Sequence, residues 1–148
     1  MRQQRRFAWH KTLAACALAL GLSLGSISFA LAEGSWSSSC TGCRVGFESR
    51  RWTDNNNDAS DTIIGFSQCR DSNNGNDPND SITVELKRDI SFSPDASYGQ
   101  HVVGCWNAGS ANFGRMATAG NYYWTIRAIT GITNNAVSVN TNPVNVSY

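Results

Sequence analysis

Apolar and polar side chains alternate along much of this sequence, and that pattern confines the chain to β-structure. In the stretch 119–130, Tyr122, Trp124, Ile126 and Ala128 share one parity while Tyr123, Thr125 and Arg127 share the other, the period of two that marks a half-buried strand. Ile82, Val84, Leu86, Ile90 and Phe92 repeat the pattern, interrupted by Arg88, against Thr83, Glu85, Lys87, Asp89 and Ser91. No segment carries a long apolar stripe at the 3.6-residue helical spacing.

Further strands are expected at 45–53, with Val45 and Phe47 facing inward and Glu48, Arg50 and Trp52 outward, at 62–69, and at 99–106, carrying Val103 and Cys105. The region 108–119 has room for one short strand. Two more flank Pro143, holding Val137 and Val139, then Val144, Val146 and Tyr148. Residues 33–39, small and polar apart from Trp36, read as a loose arm, and the Asx-rich stretches 54–61 and 71–80 read as surface turns. Seven or eight short strands separated by turn signals predict an all-β fold, a single antiparallel β-sandwich, Ig-like or jelly-roll-like. Gly120-Asn121-Tyr122 at the head of a strand is compatible with a tyrosine corner, whose hydroxyl bonds back to the chain.

Residues 1–32 have the parts of a secretory signal peptide: Arg2, Arg5, Arg6 and Lys11, then an uncharged Ala- and Leu-rich run, then Ala30-Leu31-Ala32 as a small-x-small cleavage signal. Cleavage is favoured over a membrane span by the Ser and Gly content and the Ala-Leu-Ala ending. Cys16 precedes the apolar run, so it is read as discarded with the leader and not as a lipid attachment site. Arg5-Arg6 fits twin-arginine export less well than the ordinary secretory route. The expected mature chain, 33–148, is one secreted extracellular domain of 116 residues. It carries eight Lys and Arg against eleven Asp and Glu, a formal balance of −3. That balance, with no basic run, argues against nucleic acid as partner.

Four cysteines remain: Cys40, Cys43, Cys69 and Cys105. An even number in an exported chain predicts two disulfides, and Cys40 with Cys43 and Cys69 with Cys105 is the favoured connectivity. The longer bridge, closing roughly 37 residues, contributes ~4 kcal/mol through the unfolded state and the shorter ~2 kcal/mol. A redox role for Cys40-Thr41-Gly42-Cys43 lacks the helix start that lowers a thiol pKa. Zinc lacks a second close cysteine pair.

Catalytic motifs are scarce. His101 is the one histidine after residue 32 and reads as structural, and no Gly-x-Ser-x-Gly or paired-histidine motif accompanies it. Glu48 and Glu85 suit glycoside hydrolysis only if they stand about 5–10 Å apart, and both are expected on solvent faces. The chain is therefore read as no enzyme. The Asx loops offer hard oxygens for calcium, Asp54, Asn56, Asp58 and Asp61 in one, Asp71, Asn73, Asp77 and Asp80 in the other. Asp54-x-Asn56-x-Asp58 matches the first half of an EF-hand loop, and the match ends at Ala59 and Gly65. The first loop is thus a calcium candidate, and no other cofactor is expected.

Parity places Trp52 beside Arg50, and Tyr123 beside Arg127, on faces open to water. Rings beside charged groups suit recognition of a saccharide or a protein surface. The expected function is a secreted non-enzymatic binding domain for an extracellular polysaccharide or protein, through Trp52, Arg50, Tyr123 and Arg127. The alternative is a small inhibitor of an extracellular enzyme, presenting the loop 71–80 or 107–120. No membrane partner is expected once the leader is removed.

Overall fold

A computed structural model describes residues 32–73 and 77–148; residues 1–31 of the expected leader and the tip of the second Asx loop, 74–76, lie outside the described residues. Nine strands follow in order: β1 (Ser35–Arg44), β2 (Trp52–Asp54), β3 (Ile63–Ser67), β4 (Arg70–Asp71), β5 (Ser81–Asp89), β6 (Ala96–Gly104), β7 (Ala108–Asn112), β8 (Gly120–Ile129) and β9 (Ser138–Ser147). They form two antiparallel sheets. One runs β1-β9-β3-β7 with β4 also beside β9, and the other runs β2-β8-β5-β6.

Alternation explains the sandwich. Ile64 and Phe66 of β3 and Val139, Val144 and Val146 of β9 are buried, as are Ile82, Val84 and Leu86 of β5 and Tyr122, Trp124 and Ile126 of β8. Across the interior, the Phe66 ring meets Trp124 edge-on at 5.3 Å between centroids. Full burial of each such side chain contributes roughly 1.5–3 kcal/mol. Cys69, between β3 and β4 of one sheet, is bridged to Cys105, just after β6 of the other, so this disulfide ties one sheet to the other. Cys40 and Cys43 are bridged within β1. Both pairings are the expected ones, and disulfides form in an oxidising compartment.

Three local expectations are corrected. The supposed arm is the start of β1, paired from Ser35 with Ser147 to Arg44 with Ser138; its serines face water, so backbone pairing rather than apolar content defines it. The expected pair of strands around Pro143 is one strand, β9. The Asn142–Pro143 peptide is cis and falls where β9 changes neighbours, pairing β4 at Val139 and Asn140 and β3 from Val144 onward, a place that needs no ladder donor from proline. Finally, β5 stops at Asp89. Ile90 and Phe92 belong to the loop that joins β5 to β6.

The tyrosine corner is present: the Tyr122 hydroxyl donates to the Thr118 carbonyl. Burial pushes the Tyr122 pKa up, and the neighbouring Tyr98 hydroxyl at 3.4 Å adds to it.

Candidate functional site

Trp52 does not face water. It is 5 % exposed, with Trp36, Tyr148 and Tyr122 at centroid distances of 5.9, 5.8 and 6.4 Å. The cause is one extra residue. Glu48 pairs with Thr125 and Trp52 with Tyr122, so four steps along this segment match three along β8. Such a bulge moves every later side chain to the other face. Glu48 therefore points outward with Thr125, and Trp52 points inward with Tyr122. Upstream of the bulge the backbone still follows β8, with Gly46 N–H donating to Ile126 (2.8 Å) and Ser49 N–H to Trp124 (2.9 Å).

Tyr123 is on the outer face, as parity predicts, but it is only 1 % exposed. The Arg51 guanidinium lies 4.4 Å from its ring centroid. Arg51 is held there by Asp89 (2.5 Å) and Glu48 (3.2 Å). The Tyr123 hydroxyl donates to Asp95 Oδ2 at 2.5 Å, while Asp95 Oδ1 accepts the Ile90 N–H at 3.1 Å. These bonds hold the Asp95 carboxyl below its ordinary pKa, the Tyr123 bond most strongly, then the Ile90 bond, with Lys87 and Arg51 adding to them. Burial first, and then the Asp95 bond, push the Tyr123 pKa far up.

This network anchors the β5–β6 loop, residues 90–95. Ser93 N–H donates to the Ile90 carbonyl at 3.3 Å, closing a tight turn. At its tip, Phe92 is fully exposed, at 108 % of its reference area, and its backbone is left-handed at φ 62. A bulky residue rarely adopts that conformation, which turns the ring outward from a loop held at both ends. By parity alone Phe92 reads as a strand residue. The signal available was Ser-Pro-Asp directly after it, a turn sequence.

The other expected site residues are dispersed. The Arg50 guanidinium lies 4.6 Å from the Trp36 ring centroid, and Arg127 pairs with Glu85 at 3.4 Å. Glu85 is 8 % exposed rather than solvent-facing, and it accepts a 2.5 Å bond from Ser97 Oγ. Glu48 and Glu85 both stand opposite Thr125, two strand spacings or about 10 Å apart at the backbone, each already held by an arginine. His101 is exposed and edge-on to Phe113 at 4.7 Å. Cys40 and Cys43 are buried, which keeps their bridge from exchange partners. The two Asx loops share no residues of one site: Asp54 pairs opposite Gly120 in one sheet and Asp71 opposite Val139 in the other.

The outer face of the five-stranded sheet is bare by comparison. Ser35 and Ser37, Asn145 and Ser147, Ile63 and Gly65 line a shallow depression of ≈ 410 Å³, and none of these six side chains carries a charge. Gly65 supplies its floor, since a Cβ there would meet only backbone carbonyls at 3.8 and 3.9 Å. The fold and these sites define a disulfide-stapled β-sandwich. No protein-family model, no curated protein and no solved structure matches the chain.

Proposed function

We propose that this is a secreted, non-enzymatic binding protein that recognises another extracellular protein by inserting Phe92 into an apolar pocket of its partner. The observation that carries this reading is the fully exposed Phe92 ring on a loop pinned through Asp95 to Tyr123. Exposed aromatic anchors dominate binding energy when a partner desolvates them. Fixing the loop beforehand lowers the ordering cost of association. Inhibition of an extracellular enzyme is a narrower form of the same reading, with 90–95 as the presented loop in place of 71–80 or 107–120. The engagement of Glu48 and Glu85 by Arg51 and Arg127 supports binding over hydrolysis.

The test is capture of secreted proteins from the source cells on the immobilised protein, beside a Phe92→Ala variant. A partner that the variant binds about 30-fold more weakly or worse, ~2 kcal/mol, with the same melting temperature, supports the reading. Binding indifferent to Phe92→Ala refutes it.

The uncharged depression over Gly65 favours a second reading, recognition of a neutral saccharide by Ser35, Ser37, Asn145 and Ser147. Insoluble polysaccharides should then deplete the protein from solution, and Gly65→Leu should abolish that depletion while Phe92→Ala leaves it intact.

A further inference from the structure

One carboxyl group is sealed between the two sheets without a counter-charge. Asp80 stands directly before β5 of the four-stranded sheet and is 1 % exposed. Its Oδ2 accepts the backbone N–H of Asp71 at 3.1 Å, and Asp71 lies in β4 of the five-stranded sheet. The bond therefore crosses from sheet to sheet. It sits beside the Cys69–Cys105 bridge, since the Asp80 carbonyl accepts the Cys105 N–H at 3.1 Å. The Asp80 N–H in turn donates to the Asp77 carbonyl at 3.0 Å, so the backbone on both sides of the carboxyl is held. Its second oxygen, Oδ1, is closed off from solvent and accepts no hydrogen bond. A bare acceptor in a fully buried side chain is rare in native proteins and needs a physical cause.

The charged groups around it do not satisfy it. Asp71, itself buried, and Asp77 carry the same sign. Arg70 is a nearby cation, but its guanidinium donates to the carbonyls of Cys69 at 2.6 Å and Trp106 at 3.1 Å and lies 3.5 Å from the Trp106 ring centroid. Burial raises the Asp80 pKa most strongly, the Asp71 N–H bond opposes it, the Asp71 and Asp77 charges add to the rise, and Arg70 works against it. A carboxylate is costly to bury without a partner, and a neutral carboxyl much less so.

We propose that Asp80 is a pH-sensitive clasp between the two sheets, closed when its carboxyl takes up a proton from solvent and loosened when it ionises. The stabilisation is complete below the ordinary carboxylate value of ~3.9 and is lost as pH rises through the higher folded value. The fold is thus tightest in acid surroundings. Nothing in this device involves Phe92, which lies on a different loop.

The test is NMR titration of the side-chain carboxyls, paired with thermal melts of the wild type and Asp80→Asn. The Asp80 midpoint should lie above ~3.9, and it should fall in Asp71→Asn, which removes a like charge and keeps the backbone bond. Asp80→Asn should melt at least about 2 °C higher than the wild type near pH ~7, with that gain absent near pH ~3.5. Protection of the Asp71 amide against hydrogen exchange should rise at least about tenfold when the wild type is taken from pH ~7 to ~4, and should not change in Asp80→Asn. An Asp80 midpoint at or below ~3.9 would overturn the proposal. So would a gain of equal size at both pH values, which marks a packing effect of the amide, or a pH dependence of Asp71 protection that Asp54→Asn abolishes and Asp80→Asn leaves intact. If Asp80→Asn melts lower throughout because the amide disturbs packing, the wild-type Asp80 midpoint and Asp71 protection decide the matter.

Discussion

The β5–β6 tip and the β2–β3 loop leave the same sheet at the same end, where Asp89 and Asn121 pair on one side of β8 and Asp54 and Gly120 on the other. Their unmet needs are opposite. In the tip the carboxylate is satisfied, since Asp95 accepts from Tyr123 and Ile90, and the apolar ring of Phe92 is left bare. In the β2–β3 loop apolar groups are absent apart from Ala59, and the oxygens of Asn56 and Asp58 are left bare. A bare ring favours an apolar neighbour, whereas bare oxygens favour a hydrogen-bond donor.

Trp52 packs in the interior against Trp36, Tyr122 and Tyr148, so the largest effect should come from removing that ring. Trp52→Ala should destabilise the fold by about 3–5 kcal/mol, read by chemical denaturation. A loss below about 1 kcal/mol would mean that the ring is not packed, and would restore it as a surface residue. Next in size, Phe92→Ala should weaken partner binding by ~2 kcal/mol while leaving stability within about 0.5 kcal/mol. Tyr123→Phe removes only the hydroxyl that fixes Asp95. It should cost roughly 1.5 kcal/mol of stability and loosen the tip, seen as faster hydrogen exchange at 90–95 with no change at 55–58.

The smallest and most discriminating effect is on acid titration. Asp95 has a lowered pKa in the folded protein, so its stabilisation is present above the ordinary carboxylate range of ~3.9 and is lost as pH falls through the lower folded value. Burial raises the Asp54 pKa, so its ionisation destabilises the fold at neutral pH. Protonation as pH falls through the higher folded value relieves that strain. Carboxyl resonances followed by NMR should titrate on opposite sides of ~3.9. Midpoints in the reverse order would break the contrast between the loops.

Much of the fold is legible in the sequence because burial on one face imposes a period of two. Tyr122, Trp124 and Ile126 and their partners Ile82, Val84 and Leu86 obey it, and the cysteine pairing follows from spacing and strand ends. The site was less legible, for reasons that are local. Parity reasoning assumes an uninterrupted ladder, and one inserted residue between Glu48 and Trp52 reversed the face of Trp52. Parity places Tyr123 on its correct face, but Arg51 and Asp95 cover it, and nothing in the alternation records side chains that arrive from a neighbouring segment. Phe92 matched the parity of β5 up to the point where the chain left the sheet. The oxygen-rich character of 54–58 was readable from Asp54-x-Asn56-x-Asp58, whereas the bond that Glu33, 21 residues upstream of Asp54, accepts from the Asn55 N–H required the fold.

Recognition through the Phe92 tip can be read by site-specific photocrosslinking. A benzophenone side chain is placed at position 92, or at the partly exposed Phe47 as control, and the protein is irradiated among the secreted proteins of its source. One discrete adduct is expected from position 92 and none from position 47, competed away by unlabelled wild-type protein and not by Phe92→Ala. No adduct at position 92, or the same adducts from both positions, would contradict it.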